Sequence, residues 1–167
     1  MTLLGIDPGL ASTGYGVVRF DGSRFHHVDH GVITTEAGVP LAERLLQIHA
    51  EVLALARKYR PDGASIEELY FARNVSSAIP VAQARGAVLV ALAGEGIEVG
   101  YYTPQQVKQA VIGRGKGEKA QVARMVCVLL RLGNFKGASH CSDALALAIC
   151  HANRCNHVEQ HQRPDHA

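Results

Sequence analysis

The sequence predicts an α/β domain built on a mixed five-stranded sheet, three antiparallel strands and then two parallel ones, flanked by helices. Three observations lead there. Residues 2–34 hold three apolar, strand-like runs separated by tight turn signals, the pattern of an antiparallel meander. Two later short apolar runs, "ASIE" and "IEVGYY", each follow a helical stretch, which makes them parallel additions to the same sheet. The 167 residues, 47% hydrophobic and 19% charged, suit one core with no internal repeat.

The elements follow in order. Residues 2–8 read as a buried strand and residues 13–20 as a second, with Gly14 and Gly16 thinning one of its faces. A turn at Asp21-Gly22 leads into a third strand over 24–34. Leu41, Leu45, Ile48, Val52 and Leu55 then recur at helical spacing until Pro61-Asp62-Gly63 breaks the helix. "ASIEEL" is a short strand ending in acids, and Ser76–Glu95 is a helix with a small-residue face. After the fifth strand, Thr103-Pro104-Gln105-Gln106 is a helix start: a capping threonine, proline at the first position and glutamine in the capping-box place. "IGRGKG" is a flexible basic loop, Glu118–Arg131 a helix, and a final helix starts near Ser139 and fades past Arg154. Residues 1–154 thus form one domain, and residues 155–167 are expected to be a polar, disordered tail.

Composition excludes several classes. No apolar run approaches the roughly 20 residues that span a bilayer. The start of the chain lacks a basic segment followed by a long apolar stretch, so a cytoplasmic protein without a membrane anchor is expected. Cys127, Cys141, Cys150 and Cys155 show no paired CxxC spacing, and reduced thiols follow. The spacing of Cys150, His151, Cys155, His157 and His161 fits no standard zinc finger. The net charge is only +2, but it is unevenly placed. Between Tyr101 and His140 seven basic residues (Lys108, Arg114, Lys116, Lys119, Arg124, Arg131 and Lys136) face one acid, Glu118. Such a segment either attracts a polyanion or is a solvated helical face.

The chemistry resides in acids at strand ends. Asp7 closes the first strand, directly before a Pro-Gly turn, and Glu67 closes the fourth, with Glu68 beside it. If these strands are parallel neighbours, both acids sit on one edge of the sheet, where open α/β sheets place ligands. "SHCSDALALAI" opens the last helix and puts His140 and Asp143 on one helical face. Asp7, Glu67, His140 and Asp143 could therefore converge. Three carboxylates and an imidazole suit two hard divalent cations, a constellation for phosphodiester hydrolysis. Taken singly, each has a structural alternative: turn formation for Asp7, surface charge for Glu67, dipole compensation for Asp143, and a helix-start residue for His140.

Four segments together carry a family resemblance: "GIDPGLASTGYGVV", "SIEELYFARNVSSAIPVAQARGAVLVA", "YTPQQVKQAVIGRGKGEKAQVARMV" and "SHCSDALALAICHA". In this order they resemble the RuvC-type Holliday junction resolvases, and only the tail after Arg154 lies outside the match. The resemblance implies a ribonuclease H-like fold, a homodimer, and paired Mg²⁺-dependent nicking of four-way junction DNA in recombination and repair. It also implies cooperation with a RuvA–RuvB branch-migration complex. Carried over position by position, it implies that Asp7, Glu67 (rather than Glu68) and Asp143 are catalytic ligands to two Mg²⁺ ions, with Mn²⁺ as a substitute. His140 stands where many members have aspartate and others histidine; an imidazole favours Mn²⁺ somewhat more than a carboxylate does. Tyr70 matches an aromatic that stacks at the junction centre, and Lys108 and Lys119 match basic residues of DNA binding and catalysis. Arg114 and Lys116 flank glycines that allow close approach to a DNA backbone, and Arg73, with Asn74 and Ser76, is a further candidate contact. The helix from Ser76 to Glu95 matches the family's dimer helix.

Three other readings stay open at this level. "GIDPGLASTG" also resembles the first phosphate loop of actin-like and sugar-kinase ATPases, although those proteins need two such domains. A nonenzymatic junction-binding module and a ribonuclease H acting on hybrids are the others.

Overall fold

In this computed structural model, residues 1–68, 75–133 and 139–161 are described, with side chains for 1–68, 78–133 and 139–156. The elements are β1 (Thr2–Asp7), β2 (Ser12–Phe20), β3 (Phe25–Thr34), α1 (Leu41–Tyr59), β4 (Gly63–Glu67), α2 (Val75–Gly94), β5 (Val99–Tyr102), α3 (Pro104–Ile112), α4 (Lys119–Leu129) and α5 (Ser139–His161). The five strands form one sheet in the order β3-β2-β1-β4-β5. β1–β2 and β2–β3 are antiparallel, whereas β1–β4 and β4–β5 are parallel. This is the mixed sheet expected from the sequence.

The strands' period of two sorts the side chains onto two faces. Leu4, Ile6, Val17, Ile33, Ala64 and Ile66 pack against Ile48 and Val52 of α1 and Ala84, Val88 and Leu92 of α2. On the opposite face Leu3, Val18 and Phe20 pack against α3, α4 and α5 through Val107, Val126, Leu145 and Ile149. The result is a helix–sheet–helix sandwich. Counting by twos from Leu3 puts Gly5 and Asp7 on the α5 face, and counting back from Val18 puts Gly16 and Gly14 there as well.

Those glycines set how deeply α5 sits. A β-carbon on Gly5 would lie 1.9 Å from the Ala144 carbonyl oxygen, and one on Gly14 would lie 2.2 Å from that of His140. No side chain fits at either place, so the backbone of α5 lies directly on β1 and β2. The short residues of "ALALAIC" complete the fit from the helix side: Ala144, Ala146 and Ala148 are all buried.

Most boundaries fall within one or two residues of the sequence reading, and the last helix differs by more. β1 stops at Asp7 rather than at residue 8, and α5 continues through Arg154 to His161. The polar composition after Arg154 does not end the helix, because no glycine or proline interrupts residues 155–161. Among the described residues, no helix is long and apolar enough to cross a membrane.

Candidate active site

Asp7 and Glu67 end neighbouring parallel strands. Ile6 lies beside Ile66 in the β1–β4 register, so the two acids follow at the same edge of the sheet. Both side chains face α5, since Glu67 is two residues beyond Ser65 and four beyond Gly63, which lies against His151 of α5. The first turn of α5 passes over this edge. Ser142 Oγ donates to the Ser139 carbonyl at 2.8 Å in that turn. The backbone of His140 rests on Gly14, whose register partner is Asp7.

A cleft of roughly 220 Å³ opens there, lined by Asp7, Glu67 and Asp143, by Lys108 and Lys119, and by an apolar wall including Val107 and Leu147. The lysines arrive on two capped helices. α3 begins with the expected box: Thr103 Oγ accepts from the Gln106 amide at 3.1 Å, and Gln106 Oε1 accepts from the Thr103 amide at 2.8 Å. Lys108 is one turn further on. α4 begins where Gln121 Oε1 accepts from the Glu118 amide at 3.2 Å, which makes Lys119 its first residue.

Two polar pairs organise the charges. His140 Nδ1 lies 2.7 Å from Asp7 Oδ2. A carboxylate only accepts, so Nδ1 carries the proton of this bond, and a neutral ring keeps its lone pair on Nε2. Lys119 Nζ lies 2.5 Å from Asp143 Oδ2. Burial pushes the Asp7 carboxyl above the ordinary carboxylate value; the His140 hydrogen bond opposes this and the Asp143 charge reinforces it. Glu67 is also raised, first by burial and then by the charges of Asp7 and Asp143, against Lys119 and Lys108. The Lys119 ammonium is raised, chiefly by its bond to Asp143. The cleft thus gathers three carboxylates that its two lysines offset only in part. Among the described residues, no three His, Cys, Asp or Glu side chains as placed ring a single ion; Asp7 is engaged by His140 and Asp143 by Lys119.

The structure therefore brings Asp7, Glu67, Asp143, Lys108 and Lys119 around one cleft, with His140 on Asp7. Arg114 lines a separate groove with Ile112, Arg124 and Val128, and Lys116 is exposed in the α3–α4 connection. Tyr70, Arg73 and Asn74 lie outside the described residues, as does the side chain of Ser76. One contributor escaped the sequence reading: Arg85 of α2 donates from Nη1 to the main-chain oxygen of Glu67.

A family model, Crossover junction endodeoxyribonuclease RuvC, matches residues 3–151. The chain belongs to the RuvC family. It is 47% identical over 153 residues to the crossover junction endodeoxyribonuclease RuvC of Ruminiclostridium cellulolyticum, covering 92% of each protein. It is 49% identical over 150 residues to that of Rubrobacter xylanophilus, covering 90% of this chain and 84% of the relative. Among solved structures it is similar to Thermus thermophilus RuvC in complex with Holliday junction substrate, with a TM-score of 0.90, 40% identity, and 95% and 96% of the two chains covered. RuvC membership makes the protein an endodeoxyribonuclease of four-way junctions, a divalent-metal-dependent hydrolase of recombination and repair. It displaces the ATPase and nonenzymatic readings of the same motifs. The RuvC sheet and its flanking helices are the ribonuclease H-like arrangement that the resemblance implied.

Proposed function

We propose that Asp7, Glu67, His140 and Asp143 hold two Mg²⁺ ions per subunit, replaceable by Mn²⁺, and that this site makes the paired, symmetric nicks that resolve a four-way junction into ligatable 5′-phosphate products. The observation that supports this most directly is the cleft itself: three carboxylates from β1, β4 and α5 line one depression, and an imidazole touches the first of them. The donor set suits hard cations, because crowded carboxylates whose ionisation is disfavoured by burial and mutual repulsion gain most from a nearby divalent charge. When bound, such ions supply Lewis-acid stabilisation of the attacking and leaving oxygens of a phosphodiester.

The chain's own groups do the rest. His140 orients Asp7 by donating from Nδ1, which frees its second carboxylate oxygen and the imidazole Nε2 for ligation. Lys119 and Lys108 draw phosphate oxygens to the mouth of the cleft and offset its negative charge. The wall of Val107 and Leu147 limits water on one side of the site. Tyr70 provides a stacking face at the junction centre, and Arg73, Arg114 and Lys116 grip backbone phosphates along the arms. A homodimer formed through α2, which exposes Ile79 and Val90 with Gly86 beside them, presents two such clefts to strands of like polarity. A RuvA–RuvB complex delivers the junction, in the cytoplasm, to a nuclease domain of residues 1–154, beyond which α5 runs on to His161.

The test is a labelled synthetic four-way junction incubated with and without Mg²⁺, beside linear duplex and RNA–DNA hybrid controls. Paired nicks in the junction alone, and only with the cation, are expected. Equal cutting of hybrid, or cutting in excess chelator, contradicts the reading.

A further inference from the structure

Arg85 stands apart from the cleft yet touches the residue that forms its floor. Its Nη1 donates to the main-chain oxygen of Glu67, the last residue of β4. That oxygen lies where the ladder runs out, since the β1–β4 register ends at Ile6–Ile66. On the other side of β4 the chain is still paired: Glu67 lies beside Tyr102, and the Glu68 amide donates to the Tyr102 carbonyl at 2.8 Å. Arg85 thus supplies a hydrogen bond that no neighbouring strand provides. Its guanidinium carbon also lies 5.1 Å from the centroid of the Tyr101 ring, on β5, and the Glu68 charge acts on the same group. A guanidinium held over an aromatic ring on one strand while bonding the end of the next is a clamp that lysine cannot reproduce. The clamp is firmly mounted, because Ala84 and Val88 on either side of it are fully buried.

We propose that Arg85 is a positioning residue for the reaction: by holding the Glu67 main chain it fixes where the Glu67 carboxylate enters the cleft, and it ties that placement to helix α2. This rests on the reading that Glu67 is a metal ligand. A shift of α2 relative to the sheet is then passed to one ligand of the site through a single side chain. Outer partners that orient metal ligands typically matter by about 10–100-fold in affinity or activity.

The test uses the full chain with Arg85→Met, which keeps the apolar stem, and Arg85→Lys, which keeps the charge. Mn²⁺ binding is followed by loss of the free-ion paramagnetic resonance signal, cleavage by single turnover on a four-way junction across Mg²⁺ concentrations, and junction affinity by anisotropy without metal. For Arg85→Met we expect weaker Mn²⁺ binding and a half-saturating Mg²⁺ raised by roughly 10-fold. Junction affinity stays within about twofold, and cleavage recovers at high cation. Arg85→Lys gives a smaller shift, about threefold, in the same direction, and it decides the matter if Arg85→Met does not fold. Unchanged cation binding in the folded variant overturns the proposal, as does a loss confined to melting temperature. Glu67→Gln, run alongside, separates the two claims. If it keeps full cleavage, the ligand reading fails; if it is inactive while Arg85→Met titrates like the parent, only the Arg85 proposal fails.

Discussion

Gly14 lies against the backbone of His140, so that a β-carbon there would come within 2.2 Å of the His140 carbonyl oxygen and 2.8 Å of its Cβ. The start of α5 can reach Asp7 only because β2 offers no side chain at this point. Gly14→Ala should push the first turn of α5 off the sheet and stretch the 2.7 Å bond between His140 and Asp7. Overpacking of this kind costs about 1–3 kcal/mol, and here it also displaces Asp143. We expect a lower melting temperature and a larger proportional loss of junction cleavage. Parent-like behaviour in both would show that the glycine is not needed for the approach.

Ser65 sits between Gly5 and Gly100 in the sheet register, fully buried, and its Oγ is the one buried side-chain oxygen or nitrogen without a hydrogen-bond partner among the described residues. An unpaired buried hydroxyl costs free energy that a methyl group does not. Ser65→Ala should therefore be neutral or stabilising, by up to about 1 kcal/mol in denaturant unfolding. A clear destabilisation would mean that the hydroxyl has a partner in solution.

Charge crowding in the cleft makes a further demand. Burial and the charges of Asp7 and Asp143 disfavour ionised Glu67 in the metal-free protein. Glu67→Gln removes that charge at constant shape. We expect it to abolish cleavage while raising the metal-free melting temperature by about 2–4 °C, the effect of about 1 kcal/mol in a chain of this size. Mg²⁺ should raise the melting temperature of the parent by mass action and leave that of Glu67→Gln nearly unmoved. A variant that melts below the parent would count against charge crowding as the cost of building the site.

His151 gives the fold a pH dependence away from the catalytic edge. Its ring fills the space above Gly63 and Gly100, with Nδ1 2.6 Å from the Tyr102 hydroxyl. Burial raises the Tyr102 phenol to about 12, so it stays protonated and donates to Nδ1. Burial lowers His151 below its ordinary 6.5, against the opposing charge of Glu98. The unfolded chain therefore takes up this proton first as pH falls. Stability from His151 is complete above about pH 6.5 and declines below it, until the folded ring is also protonated. His151→Gln should lose less melting temperature than the parent between about pH 7.5 and about pH 5.5. Equal losses would place the acid sensitivity elsewhere.

Much of this was legible in the residues. Asp7 and Glu67 end apolar runs, so their place at one sheet edge followed once the strands were read as parallel neighbours. The three-residue spacing of His140 and Asp143 put both on one face of α5. Gly14 and Gly16 announced a thin face, though not which helix would lie on it. What stayed hidden depends on packing between elements distant in the chain. Arg85 meets Glu67 across 18 residues, and no periodicity specifies which atom a long side chain will reach. His151 lodges over glycines of two different strands, which requires the β4–β5 register that a sequence does not display. The extension of α5 to His161 was missed because composition turns polar before the helix ends.

The most direct measurement of the central claim is single-turnover cleavage of a labelled four-way junction by Asp7→Asn in Mg²⁺, with junction binding measured in parallel. The substitution keeps the size of the side chain at the end of β1 and removes the charge that would hold a cation. We expect cleavage to vanish while junction affinity stays near that of the parent. An Asp7→Asn protein that nicks the junction at the parent rate would contradict the assignment of the cleft as the catalytic site.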